Sequence, residues 1–169
     1  ALLNAPPDSA LLIAPDGKPI IVYTETSPAN VALLHCGNVR CNAGNVITSI
    51  EPAIGQGGFS MKIGTDSLPV FAYFSPLVLG GPNHLKVMHC GNLFCSAGNI
   101  STVLDVNALY PSLVIGSDGN PLISYYDFSS QDLKAVKCTN RTCTAFNLPS
   151  TVEGASQAAT YIGQWNSVR

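Results

Sequence analysis

Charge is what this sequence has least of: Asp, Glu, Lys and Arg together make up 11% of its 169 residues, well under the usual quarter. A net charge of -2 and a pI near 5.8 leave no basic stripe for phosphate, which excludes electrostatic binding of nucleic acid. No run approaches the roughly 20 apolar residues that a membrane helix requires, so no membrane span is expected. An initiator Met and a charged-then-apolar leader are both missing, and we expect a mature or excised chain whose targeting segment, if it had one, is gone. Ser/His/Asp order, paired-carboxylate spacing, a phosphate-binding loop and a Cys-x-x-Cys-His haem motif are also missing. Neither catalysis nor a cofactor is therefore expected.

What the chain does have is apolar content, 46%, enough for a core. With so few charges, its surface must be covered mainly by Asn, Ser, Thr, Gly and backbone. It also has an internal repeat. Residues 10–19 (ALLIAPDGKP), 60–69 (SMKIGTDSLP) and 112–121 (SLVIGSDGNP) align without a gap, placing Asp16, Asp66 and Asp118 in one column and Pro19, Pro69 and Pro121 in another. The runs that follow, IIVYTE, VFAYFS and LISYYD, bring Tyr23, Tyr73 and Tyr125 into register, and the third runs end at Cys36, Cys90 and Cys138. The second copy carries four extra residues between its second and third runs, which makes the loop at 77–83 the most individual feature of the chain.

Each copy reads as four short antiparallel strands. An apolar run, an Asp-containing turn and a β-branched or aromatic run make the first hairpin; a polar turn and the cysteine bracket introduce the third and fourth strands. Four such strands are the content of one propeller blade. We therefore expect an all-β, β-propeller-type array in one repeat domain over residues 1–169, with blades at about 9–51, 59–106 and 109–152. Residues 1–9 lie over the end of a preceding blade, and ATYIG (159–163) fits the first-strand column again, so an extra strand is expected at about 157–169. Closed propellers usually have four blades or more. Three blades and a strand leave apolar faces and strand edges bare, and the expectation is completion by another copy, as a six-bladed ring of two chains or an extended assembly. The competing reading is a fragment of a longer repeat protein.

The cysteines carry the sharpest chemistry. Cys36/Cys41, Cys90/Cys95 and Cys138/Cys143 each bracket four residues where the third strand hands over to the fourth, with no thiol left over. Disulfides between cysteines facing each other across the hairpin suit this spacing and an oxidising compartment, each stabilising by about 2 kcal/mol through loop closure. Zinc is the alternative; it needs four converging ligands, whereas these pairs would sit on separate blades, and no metal site is assigned. His35 and His89 precede cysteines in two copies, with Lys137 in the third.

Asp16, Asp66 and Asp118 have a structural reading as turn residues capping nearby N–H groups, and Tyr23, Tyr73 and Tyr125 as packing residues. Tyr125, Tyr126, Phe128 and Trp165 are the candidate contacts for a carbohydrate or for another surface protein, against the alternative that they pack between blades. Asn99-Ile100-Ser101 and Asn140-Arg141-Thr142 match the glycosylation sequon.

The segments SDGNPLISYYDFSSQDLKAVKC (117–138) and HCGNLFCSAGN (89–99) resemble the roughly 50-residue propeller-like repeats of bacterial secreted or surface proteins, in which an S-D-G-x-P-x-I-S-Y-Y-D strand pair precedes L-K-x-x-x-C and a second cysteine. The turn and strand also look distantly like the Asp-box repeats of sialidases. The resemblance spans nearly the whole chain and implies fold and an extracellular or cell-surface location, without an activity. Thr24-Glu25 and Phe74-Ser75 stand where the third copy has Tyr126-Asp127, so no site carries over through those columns. The aromatic expected after the glycine of an Asp-box is missing, and with it the basis for sialidase chemistry. The expected function is structural or adhesive, through self-association; a carbohydrate- or protein-binding ring is the alternative.

Overall fold

The computed structural model describes residues 9–52, 57–76 and 80–154. Within them the chain forms twelve strands in three four-stranded antiparallel sheets, and no helix. Sheet one contains β1 (Ser9–Ile13), β2 (Pro19–Thr26), β3 (Ala29–His35) and β4 (Val46–Pro52). Sheet two contains β5 (Gly57–Ile63), β6 (Pro69–Pro76), β7 (Asn83–His89) and β8 (Ile100–Val106). β9 (Ala108–Ile115), β10 (Pro121–Asp127), β11 (Asp132–Lys137) and β12 (Ser150–Glu153) make sheet three. Strands follow one another across each sheet in chain order, as in a propeller blade. The proposed extra strand and Trp165 lie outside the described residues, as do residues 77–79 of the long loop.

Position in the stack decides how each strand reads. The first strands lie side by side, β1 against β5 and β5 against β9, so sheet two is covered on both faces. Side chains alternate across a strand. Phe71, Tyr73 and Met88 accordingly join a core with Ile20, Val22, Val31 and Leu33 of sheet one, while Val70, Ala72, Leu85 and Val87 join a second core with Leu113, Ile123, Tyr125 and Val136 of sheet three. This is why residues 70–74 (VFAYF) form an unbroken apolar run. The outermost β12, by contrast, is exposed along its length.

Backbone approach between sheets constrains one glycine. Gly58 has φ +64°, and a Cβ there would meet Pro111 at 2.9 Å and Phe74 at 3.0 Å. Nearby, the Leu113 N–H donates to Ser60 Oγ at 2.9 Å, tying β9 to β5.

The three expected disulfides form, with Cα separations of 4.8, 4.7 and 5.0 Å. Their geometry corrects one expectation. The paired cysteines do not face each other across a hairpin; they close a tight turn whose second cysteine is left-handed, with φ 54°, 52° and 58° at Cys41, Cys95 and Cys143. Backbone N–H groups of these cysteines donate to Asn38, Asn92 and Asn140 carbonyls. In the second copy, Asn99 locks the turn by accepting from Gly91 N–H at 3.1 Å and donating to the Cys95 carbonyl at 2.6 Å; Asn45 does the same in the first. A Cβ on Gly37 or Gly91 would collide with the carbonyls of the returning chain. Thr139 stands in that column in the third copy, and there the chain returns differently, through a Cys138–Phe146 bridge and a later fourth strand.

Candidate functional site

Tyrosine, carboxylate and lysine recur where one sheet meets the next. Tyr73 on β6 points at the preceding sheet, where its hydroxyl donates to Glu51 Oε1 of β4 at 2.5 Å. Lys86, the cross-strand partner of Tyr73 on β7, donates to the same oxygen at 2.5 Å. Burial first, and then the Glu51 carboxylate, push the Tyr73 hydroxyl far above the ordinary phenol range. The phenol therefore stays a donor.

The second junction repeats the first. Tyr125 on β10 donates to Asp105 of β8, and Lys134 stands across from it on β11. Tyr125 is likewise raised, by burial, by its bond to Asp105 and by the charges of Asp105 and Asp127. Here the lysine turns to a carboxylate of its own sheet, Lys134 Nζ to Asp127 Oδ2 at 2.5 Å. Burial alone would raise Asp127, but the Lys134 ammonium, the Ser129 hydroxyl and the Ser129 and Ser130 N–H groups outweigh it and hold its pKa at about 2.

The turn aspartates bridge as well as cap. Asp16, Asp66 and Asp118 each accept the backbone N–H two residues on, at 3.2 Å, as the turn reading expects. Each also meets the His/Lys column that ends the third strand. Asp16 Oδ2 lies 3.2 Å from His35 Nε2, Asp66 Oδ2 lies 2.9 Å from His89 Nε2, and Lys137 Nζ donates to Asp118 Oδ1 at 2.7 Å. The histidine contacts are close approaches rather than aligned hydrogen bonds. Cysteine turns then reach back to these pairs: Phe94 packs on His35 with ring centroids 4.5 Å apart, and Arg141 Nε lies 3.7 Å from Asp66 Oδ2.

At sheet one the same columns face outward without a neighbouring sheet among the described residues. Leu11, Ile21, Leu34 and Ile47 form one cross-strand row on β1 to β4. The sheet-two equivalents of the first three, Met61, Phe71 and Met88, are buried, while Ser101, in the place of Ile47, is exposed. Leu11 is 63% exposed, Ile13 58% and Ile47 54%. Tyr23, in the column of Tyr73 and Tyr125, is half-buried; partial burial and the adjacent Glu25 raise its pKa. This open apolar face is the candidate functional site.

The aromatic candidates divide. Tyr125 is fully buried and occupied by Asp105; Tyr126 is buried, across from Leu109 and Leu133, so both pack rather than face a ligand in this arrangement. Phe128 is 43% exposed just after β10. No group of His, Cys, Asp and Glu among the described residues could hold a metal ion. Nor is any helix among them long and apolar enough to cross a membrane. The sequence reading passed over the acid column at the end of each fourth strand (Glu51, Asp105, Glu153) and the Lys86/Lys134 column; recurrence of an acid after the fourth apolar run (SIEP, VLDV, TVEG) is the signal that finds it. No protein-family model and no curated protein matches the chain.

Proposed function

We propose that this is a secreted or cell-surface structural repeat protein that works by associating with copies of itself, with adhesion as its extension to other surfaces. The observation that carries the reading is the open face of sheet one: Leu11, Ile21 and Leu34 occupy columns that the other two sheets bury, with exposed Ile13 and Ile47 beside them. Contiguous exposed apolar side chains on a sheet face mark an interaction surface. Three disulfides with no free cysteine suit a non-reducing compartment and support an extracellular setting. A blade-like repeat that already stacks sheet on sheet needs no new chemistry to stack further.

Light scattering of the oxidised chain over a range of concentrations, with negative-stain imaging, tests this. Mass growing with concentration, with fibres or tubes, is the expected result. A mass fixed at two chains with ring particles favours the alternative, a six-bladed ring that recognises carbohydrate or another surface protein. A mass that stays at 17.7 kDa throughout contradicts self-association. Leu11→Asp places a charge on the open face of a residue that is already exposed; it should abolish the growth and leave the unfolding midpoint within about 0.5 kcal/mol of the parent.

A further inference from the structure

We propose that copies join head to tail, sheet three of one against sheet one of the next, latched by the Tyr23 hydroxyl of one copy donating to Glu153 of its neighbour. The inference rests on the self-association reading and names its interface.

Register supplies the polarity. At both internal junctions a tyrosine of the following sheet meets an acid from the fourth strand of the preceding sheet, Tyr73 with Glu51 and Tyr125 with Asp105. Glu51 pairs with Val31, Asp105 with Leu85 and Glu153 with Leu133, each beside a shift in strand register, so the three acids share one structural column. Glu153 is exposed at the end of β12. Tyr23 shares the tyrosine column and sits on the open face of sheet one. Among the described residues the array thus carries an acid without its tyrosine on sheet three, and on sheet one a tyrosine without an acid from a neighbouring sheet.

Two other features run in the same direction. The outer face of sheet three carries half-buried Leu122, Ser124, Leu133 and Ala135 beside buried Tyr126, in the columns through which Val70, Ala72, Leu85 and Val87 of sheet two cover the sheet that follows. At the rim, the Arg141 turn of sheet three reaches back to Asp66 of sheet two. Arg40, on the equivalent turn of sheet one, is exposed, and Asp118 of sheet three is half exposed beside Lys137, so a head-to-tail neighbour places an arginine near an aspartate again. A second copy therefore matches this face in its residue columns, its acid and tyrosine pairing and its rim charge.

The new junction differs in one respect. Ala32 stands in the column of Lys86 and Lys134, and Glu25, already hydrogen-bonded to Tyr23, stands in that of Asp127, so Glu153 competes with a second carboxylate for the Tyr23 hydroxyl and without a lysine. The junction between copies is therefore weaker than those within the chain, and it should tighten when one carboxylate becomes a cation. The test is sedimentation equilibrium on the intact oxidised chain. Tyr23→Phe and Glu153→Ala should each weaken association about tenfold, the scale of one hydrogen bond to a charged acceptor. The double variant should be no weaker than either single one, and Glu25→Lys should strengthen association. Unfolding midpoints close to the parent's confirm that each variant folds. If the chain associates but neither Tyr23→Phe nor Glu153→Ala changes the constant, the latch is wrong and self-association stands. If losses add in the double variant, the two residues do not meet. If the parent is monomeric at every concentration, both readings fall.

Discussion

Replacing Tyr73 with Phe removes one oxygen from the junction between sheets one and two and leaves the ring in place. That hydroxyl is buried and donates to a carboxylate, a type of bond whose loss costs about 1.5–3 kcal/mol. Glu51 keeps Lys86, so the charge is not orphaned, and the lower end applies: about 1.5 kcal/mol. For a chain of this length that corresponds to a fall in Tm of about 3–6 °C. Urea denaturation of the four proteins in a Tyr73→Phe and Glu51→Gln cycle gives the decisive quantity. The two changes should couple by about 1 kcal/mol, because the second removes the charge that strengthens the first bond. Additive losses, or a Tyr73→Phe cost below about 0.5 kcal/mol, would show that the tyrosine only packs and that the acid column is not a latch.

Other outcomes follow from the same geometry. Asp127, held at about 2 against an unfolded value near 3.9, binds a proton more readily in the unfolded chain, so its contribution is fully present above about pH 4 and is lost as pH falls from about 4 to 2; Asp127→Asn should flatten that part of a stability-against-pH curve. Gly91→Ala should cost about 1–3 kcal/mol, because its Cβ meets the carbonyls of residues 97 and 98, measurable as a lower urea midpoint. Removing the Cys90–Cys95 disulfide by paired Ala substitution should cost about 2 kcal/mol on the same assay. Expression in a glycosylating host should leave Asn99 unmodified by mass spectrometry, since both ends of its side-chain amide already hold the cysteine turn.

The array itself was legible because each repeat spells the same physical units: the Asp-containing turn, the strand around Tyr23, Tyr73 or Tyr125, and the cysteine bracket. Spacing alone placed the disulfides. It did not show that the cysteines close a left-handed turn, because backbone conformation at Cys41, Cys95 and Cys143 depends on how Asn38, Asn92 and Asn140 fold the four intervening residues. The latch was harder to see. Glu51 and Asp105 carry no motif in the sequence, and their meeting with Tyr73 and Tyr125 comes from sheet stacking and a register shift, neither of which a linear alignment displays. Tyr125 and Tyr126 looked like ligand contacts for the same reason: an aromatic pair in sequence does not say which faces of a sheet are already covered.

On the proposed function, copies meet at the open face of sheet one. Hydroxyl-radical footprinting of the oxidised chain at low and high concentration tests it at the residues concerned. Leu11, Ile13 and Ile47 should react freely when the chain is dilute and become protected as mass rises, while Val103, exposed on the middle sheet, keeps its reactivity. Unchanged reactivity at Leu11, Ile13 and Ile47 in an associated sample would contradict the account and place the contact elsewhere on the chain.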